Sequence, residues 1–323
     1  MKTLVEAING GLHEEMERDA ALLVMGEDVG RSGGVFRVTA GLQERFGAER
    51  CVDTPLAEAG ILGTALGLSM VGWRPVVEMQ YDAFSYPSLE QLITHVGRYR
   101  WRSGGRMNVP LTIRMPYGGG VNAPELHEES PETYYVHTAG IKVAIPSTPS
   151  DAKGLLAAAI RDPDPVVFLE PKALYRDSRE EVPEGDFVVP LGQVRTEREG
   201  SDLTIVAYGA MVKVAAEAAD SLAADGVSAH VVDLRTLRPL DEVGLIDAVA
   251  KTGRAVIVQE AARTVGFAAE VAALVAERAL FDLQAPVERV TGYDVAFPYW
   301  RLEHHYVPSP DRVAAAARRT LEF

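Results

Sequence analysis

Short aliphatic runs alternate with longer amphipathic stretches along nearly the whole chain. Continuous apolar runs of this length, rather than alternating ones, suit strands covered on both faces in a parallel sheet. The pattern predicts strands at "ALLVM" (21–25), "RPVVEM" (74–79), "LTIRM" (111–115), "KVAI" (142–145) and "PVVFLE" (165–170), with a short strand at 51–53. The stretch "YRDSREEVPEGDF" (175–187) is dense in charge and poor in aliphatics, and reads as an interdomain connection. A second series follows at "DLTIVAYG" (202–209), "SAHVVDL" (228–234), "RAVIVQE" (254–260) and "VERVTG" (287–292). Between its strands lie alanine-rich helices such as "MVKVAAEAADSLAADG" (211–226), which Gly226 would stop. The class is α/β, with two doubly wound domains.

One predicted helix, in "DTPLAEAGILGTALG" (53–67), breaks its own pattern. Thr54 can cap it and Pro55 suits its first position, where a missing N–H costs nothing. Gly60, Gly63 and Gly67 form a stripe on one face, each costing about 1 kcal/mol against alanine. Such a stripe implies close backbone packing, against the sheet or against a partner helix. Glu58 lies in the first turn of an otherwise apolar helix. It is either a dipole-favouring acid, worth about 0.3–1 kcal/mol, or a ligand.

The length of 323 residues suits two domains of roughly 150 residues each. A formal charge of −14 argues against nucleic acid and anionic lipid as partners. A single cysteine, Cys51, excludes an intrachain disulfide. The first residues carry no apolar signal core. The longest apolar stretch, 59–73, falls short of the roughly 20 residues of a membrane span. The expectation is a cytoplasmic protein.

Ligands of open α/β sheets bind at the carboxyl ends of the strands, and here those ends are polar or glycine-rich. "GED" (26–28) follows the first strand, Gln80 and "YDAFSY" (81–86) follow the strand at 74–79, and "PYGGG" (116–120) follows the next. The glycines lead into "VNAPELHEESPE" (121–132), which carries His127. A carboxylate, an aromatic surface, a glycine loop and a histidine on one sheet edge suggest a heteroaromatic cofactor with acid–base chemistry beside it. Singly, each has an ordinary reading as turn, core or solvated loop. The remaining histidines, 13, 95, 137, 230, 304 and 305, show no metal-ligand spacing.

Taken together, these stretches resemble the β subunit of the E1 component of 2-oxo acid dehydrogenase complexes, a thiamine-diphosphate family. The resemblance runs through "MGEDVGRSGGVFRVTAGL" (25–42), "DTPLAEAGILGTALG" (53–67), "RPVVEMQYDAF" (74–84), "RSGG" (102–105), "RMPYGGG" (114–120), "HEESPE" (127–132), "DPVVFLEPKALYR" (164–176) and "VTGYDVAFPY" (290–299). It implies a pyrimidine-binding domain at 1–180, a linker at 181–197 and a transketolase-type C-terminal domain at 198–323. It places Glu58 as the residue that hydrogen-bonds N1′ of the aminopyrimidine, favouring the imino tautomer that takes the thiazolium C2 proton. Leu56, Gln80 and Phe84 would line the same ring, with Phe84 stacking on it. His127 would assist proton transfer during acylation of the lipoyl group, work suited to a pKa near 6.5. Leu111, Ala159, Asp162 and Asp164 fall at the positions of a family potassium site, although Asp164 replaces the usual asparagine.

Thiamine-diphosphate enzymes hold the diphosphate through Mg²⁺ on a Gly-Asp-Gly motif, and this chain has none. The resemblance assigns that end to an α subunit, in an α₂β₂ assembly that decarboxylates a 2-oxo acid and passes the acyl group to lipoyl-bearing E2. "HEESPE" resembles the branched-chain (2-oxoisovalerate) type, with pyruvate and acetoin forms as alternatives. A further alternative is a degenerate scaffold that only binds α and E2, since Leu126 and Glu128 stand where histidine and serine are common.

Overall fold

In the computed structural model, which describes residues 1–323, the aliphatic runs pair as strands within two separate units. The first unit is Met1–Tyr117 with Tyr134–Leu191; the second is Gly118–Thr133 with Gly192–Phe323. The first half of the chain runs α1 (Leu4–Arg18), β1 (Leu22–Gly26), α2 (Leu42–Phe46), β2 (Cys51–Asp53), α3 (Glu58–Met70) and β3 (Arg74–Glu78). It continues with α4 (Leu89–Thr94), α5 (Tyr99–Arg102), β4 (Thr112–Tyr117), α6 (Glu132–His137), β5 (Lys142–Ala144), α7 (Pro149–Arg161) and β6 (Val166–Pro171). The strands of the first unit lie in the order β5-β6-β4-β3-β1-β2, all parallel. Every residue of β1, β4 and β6 is buried, which is why these strands read as unbroken aliphatic runs.

The second half contains β7 (Arg195–Arg198), β8 (Leu203–Ala207), α8 (Met211–Ala224), β9 (Ala229–Asp233), β10 (Thr236–Arg238), α9 (Glu242–Thr252) and β11 (Ala255–Val258). After these come α10 (Phe267–Arg278), β12 (Glu288–Val290), α11 (Trp300–Tyr306) and α12 (Pro310–Leu321). Its sheet has the order β12-β11-β8-β9-β7, parallel except for β7, which pairs antiparallel with β9. Gly226 follows the end of α8 in the left-handed conformation, at φ +80°, as a helix stop requires. No helix is long and apolar enough to cross a membrane.

Two sequence expectations change. Thr54 does not cap α3 and Pro55 is not its first residue: the Thr54 amide still pairs with the Gly26 carbonyl at 2.9 Å, and Ala57 precedes the helix without a side-chain cap. Glu58 is therefore the first helical residue. The glycine stripe is not packed on the sheet. Gly60 and Gly67 are exposed, and a Cβ at Gly67 would meet nothing within 4 Å. The charged stretch after β6 is packed on the first unit. Lys2 and Glu180 exchange backbone hydrogen bonds, Val189 donates to Gly154, and Val182 and Val189 are buried. Farther along, the charged, partly exposed β7 straddles the end of the segment read as a linker, and nothing apolar announces it.

Candidate active site

The chain runs from β1 outward to β2, whereas β3 leads the opposite way to β4, so the crevice between β1 and β3 is the topological switch point of the first sheet. Glu27 and Asp28 follow β1 and Gln80 follows β3. Across the crevice Gln80 Nε2 donates to Asp28 Oδ2 at 3.3 Å. Asp53, at the end of β2, fixes the loop after β1 by accepting from the amides of Gly30 (2.6 Å) and Arg31 (3.2 Å).

Glu58 is half-buried at the uncapped start of α3, where helix amides favour negative charge. Behind it stands Glu27, 4% exposed, with neither carboxylate oxygen hydrogen-bonded to another side chain or amide at normal length. Burial holds the Glu27 carboxyl above the usual range, and the charges of Glu58 and Asp28 push the same way. Glu27 thus binds a proton more readily than an exposed carboxyl does.

Phe84 lies on a 3-10 segment, Ala83–Ser88, that packs against α3. A fully buried ion pair, Lys172 Nζ to Asp82 Oδ2 at 2.5 Å, anchors the start of that segment. Phe84 is half-buried and meets Tyr81 edge-on at 5.4 Å; Tyr81 meets Phe36 at 5.6 Å, and Phe36 meets Tyr175 at 5.0 Å. Leu56, just before the helix, is 82% exposed. The first unit thus brings Glu58, Gln80 and Phe84 to one sheet edge, with Leu56 beside them. A half-exposed ring and an orphaned buried carboxyl behind Glu58 fit a flat nitrogen heterocycle such as an aminopyrimidine.

The potassium expectation meets a different arrangement. Lys142 Nζ binds both carboxylate oxygens of Asp162 at 2.7 Å, and Arg100 takes Asp164 Oδ1 at 2.5 Å. The Asp162 carbonyl accepts from Arg74 at 3.2 Å, the Leu111 carbonyl from the Val166 amide at 2.9 Å, and the Ala159 carbonyl from the Asp162 amide at 3.3 Å. Lys142, Arg100 and Arg74 thus already occupy oxygens of Asp162 and Asp164, which a potassium ion would have to share.

His127 belongs to the second unit. It ends a short 3-10 turn, Glu125–His127, and is half-buried. The glycine loop before it does not present its amides to solvent. The amide of Gly118 donates to the Glu129 carbonyl at 2.8 Å, Gly119 to Glu260 Oε1 and Gly120 to Glu303 Oε1. A Cβ at Gly119 would lie 2.6 Å from the Phe297 ring, and Gly118 and Gly120 have φ of +77° and +97°. Glycine is needed here so that two carboxylates can reach the backbone. Glu128 in turn accepts from the amides of Val121 (3.2 Å) and Ala123 (2.8 Å), and Tyr208 donates to Glu132 at 2.7 Å. Burial raises the carboxyls of Glu128 and Glu132 to about 7 each.

Sequence reasoning missed Glu27, Asp53, Glu260 and Glu303. Glu27 had a signal, an acid placed directly after a buried strand; Glu260 and Glu303 are 141 and 183 positions from their amide donors and had none.

Comparisons with known proteins match residues 1–178 to the transketolase pyrimidine-binding domain and residues 192–313 to the transketolase C-terminal domain. The chain is 52% identical to the pyruvate dehydrogenase E1 component subunit beta of Bacillus subtilis, covering 99% of both chains. It is 48% identical to the 2-oxoisovalerate dehydrogenase subunit beta of the same organism, over 99% of this chain and 98% of that one. Among solved structures it is similar to a split-gene transketolase described as an inactive β4 tetramer. The TM-score is 0.81 at 24% identity, covering 99% and 98% of the two chains, a likeness of fold alone.

Proposed function

Because this chain belongs to the E1 β subunits of 2-oxo acid dehydrogenases, a thiamine-diphosphate family built on transketolase-type domains, we propose that Glu58 is its cofactor-activating acid and His127 its proton-transfer group. The observation that carries this reading is the pairing of Glu58 with the buried, orphaned carboxyl of Glu27 at the switch point. Thiamine diphosphate, when bound, supplies the nucleophilic carbon and electron sink for decarboxylation. Glu58 holds a proton at the ring nitrogen of the aminopyrimidine. Glu27 stands beside it, its carboxyl raised by burial and by the charge of Glu58. Phe84 stacks on the ring, and Leu56 and Gln80 bound it. The Mg²⁺-diphosphate end is left to an α subunit, in an α₂β₂ enzyme that delivers the acyl group to lipoyl-bearing E2.

Pyruvate is the first substrate to assay, because the 52% identical relative carries that name. A branched-chain 2-oxo acid is the second reading, favoured by "HEESPE" (127–132) and by the 48% identical relative. The enzyme reconstituted with its α subunit is assayed on pyruvate and 3-methyl-2-oxobutanoate, with wild type and Glu58→Gln. The substitution should lower kcat by about 10²–10⁴-fold at unchanged unfolding temperature. Full activity of E58Q would remove Glu58 from the chemistry, and an inactive wild-type assembly would favour a scaffold.

A further inference from the structure

Glu128 is 0% exposed and Glu303 6% exposed, and each spends one oxygen on backbone amides: Glu128 on Val121 and Ala123, Glu303 on Gly120. The other oxygen of each, Oε2, is buried without a donor. The two side chains come within hydrogen-bonding reach of each other. Two carboxyls in hydrogen-bond contact, each with a buried oxygen that no protein donor reaches, are both satisfied by a single proton. We propose that Glu128 and Glu303 hold one proton between them, and that this shared proton makes Glu128 the positioning residue that closes the loop carrying His127 onto α11. The importance of this for catalysis, though not the closure itself, rests on the role proposed for His127.

The surroundings reinforce the need for that proton. From α11 the charged group facing Glu128 is Glu303, and Tyr306 lies one turn on. From the segment after β11 comes Glu260, bound to the Gly119 amide. From the loop itself come His127, Glu129 and Glu132, the last held by Tyr208. Glu260, Glu129, Glu132 and Asp294 together raise the Tyr306 hydroxyl beyond its ordinary range, after burial, so the local field is negative. Losing the shared proton places a second charge beside Glu303 in a dry site, which loosens the loop. The pair, rather than either residue, sets where this happens. Burial is the largest cause of the rise of Glu128 to about 7, opposed by the Ala123 amide and helped by Glu303.

The sign follows. A carboxyl that binds its proton more tightly in the closed loop favours closure fully below its exposed value of 4.5, and that advantage is lost as pH rises through about 7. If opening exposes Glu128 to water, the opening constant should rise about 70-fold between pH 5 and 8 and level off above.

The test is hydrogen exchange of peptides spanning residues 118–132 in the full chain from pH 5 to 9, each rate divided by its intrinsic value. Wild type should show the rise and the plateau. Glu128→Gln supplies the bridging hydrogen permanently while still accepting from both amides, so its opening should stay low and flat. Glu303→Gln should also flatten the profile. A flat wild-type profile, or an E128Q profile that copies a rising wild-type one, overturns the proposal. Reconstituted with α subunit, E128Q should retain its kcat above pH 7 where wild type declines, at unchanged KM. Matching exchange results with identical kcat profiles would support the latch and remove His127 from the reaction, so the two failures are distinguishable.

Discussion

Arg114 lies on β4 between two acids, one on each neighbouring strand. Its guanidinium grips Glu170 of β6 bidentately at 2.7 and 2.8 Å and also binds Glu78 of β3, while Tyr175 donates to Glu170 at 2.6 Å. Arg114, Glu78 and Glu170 are 1%, 5% and 0% exposed. Burial works against the charge of Arg114, yet Glu170 and Glu78 outweigh it and hold the guanidinium above its usual range. Arg114→Met keeps the volume but leaves two carboxyls buried without a cation. Breaking a buried pair in this way costs about 3–5 kcal/mol, against a typical total of about 5–15 kcal/mol. The cost depends on pH. Glu78 is already raised by burial, and without Arg114 the rise must grow. Each carboxyl that takes up a proton on folding returns about 1.4 kcal/mol per pH unit lowered, until its unfolded counterpart also titrates near 4.5. Urea unfolding of the full chain at pH 5.5 and 8 should therefore show the larger loss at pH 8. The triple variant R114M/E78L/E170Q, in which the amide replacing Glu170 still accepts from Tyr175, should regain much of it. A loss under about 1 kcal/mol, or an equal loss at both pH values, would refute the assignment of this network as the clamp on the strand ends beside the site.

Replacing Lys142 by methionine should cost about 1 kcal/mol, since its pair with Asp162 is partly solvated, and should make the melting temperature higher in potassium than in tetramethylammonium chloride. Wild type should melt alike in both salts, and a potassium-specific rise in wild type would restore a cation site there. Gly119→Ala drives a methyl into the Phe297 ring and should cost about 1–3 kcal/mol of loop stability, seen as faster exchange at 118–121. Phe297→Leu in the same chain should relieve it, and strict additivity of the two changes would argue against the contact. Glu27→Gln removes a buried group whose folded form prefers the proton, so its stabilising effect should grow as pH rises toward 8 and vanish near pH 4; equal unfolding curves at both pH values would contradict that placement.

The strands were legible because burial on both faces forces an unbroken aliphatic run, as in "PVVFLE" and "RAVIVQE". The exceptions are the elements whose residues are not chosen by burial. β7 reads "RTER" because it is a sheet edge exposed to water, so nothing in its composition marks it as a strand. The start of α3 misled for a related reason: Thr-Pro is good cap chemistry, but the Thr54 amide was already committed to the sheet through Gly26. Local propensity there lost to a hydrogen bond from another element.

The same contrast governs the site. Glu58 stands out in the sequence because a charge at the head of an apolar helix is an anomaly within a few residues. The glutamates that hold the glycine loop do not, because their meaning lies in partners far along the chain. The formal charge of −14 therefore says little about where the acids sit. Glu27, Glu78, Glu128, Glu132, Glu170, Glu260 and Glu303 are all buried, so part of that negative count is not surface at all. Where an arginine answers the acid, as at Glu170, the charge is kept and the strand ends are clamped. Where burial and another acid outweigh the amides, as at Glu128, the proton is kept instead. An acidic composition thus concealed two opposite uses of one side chain, and only the identity of the buried partner separates them.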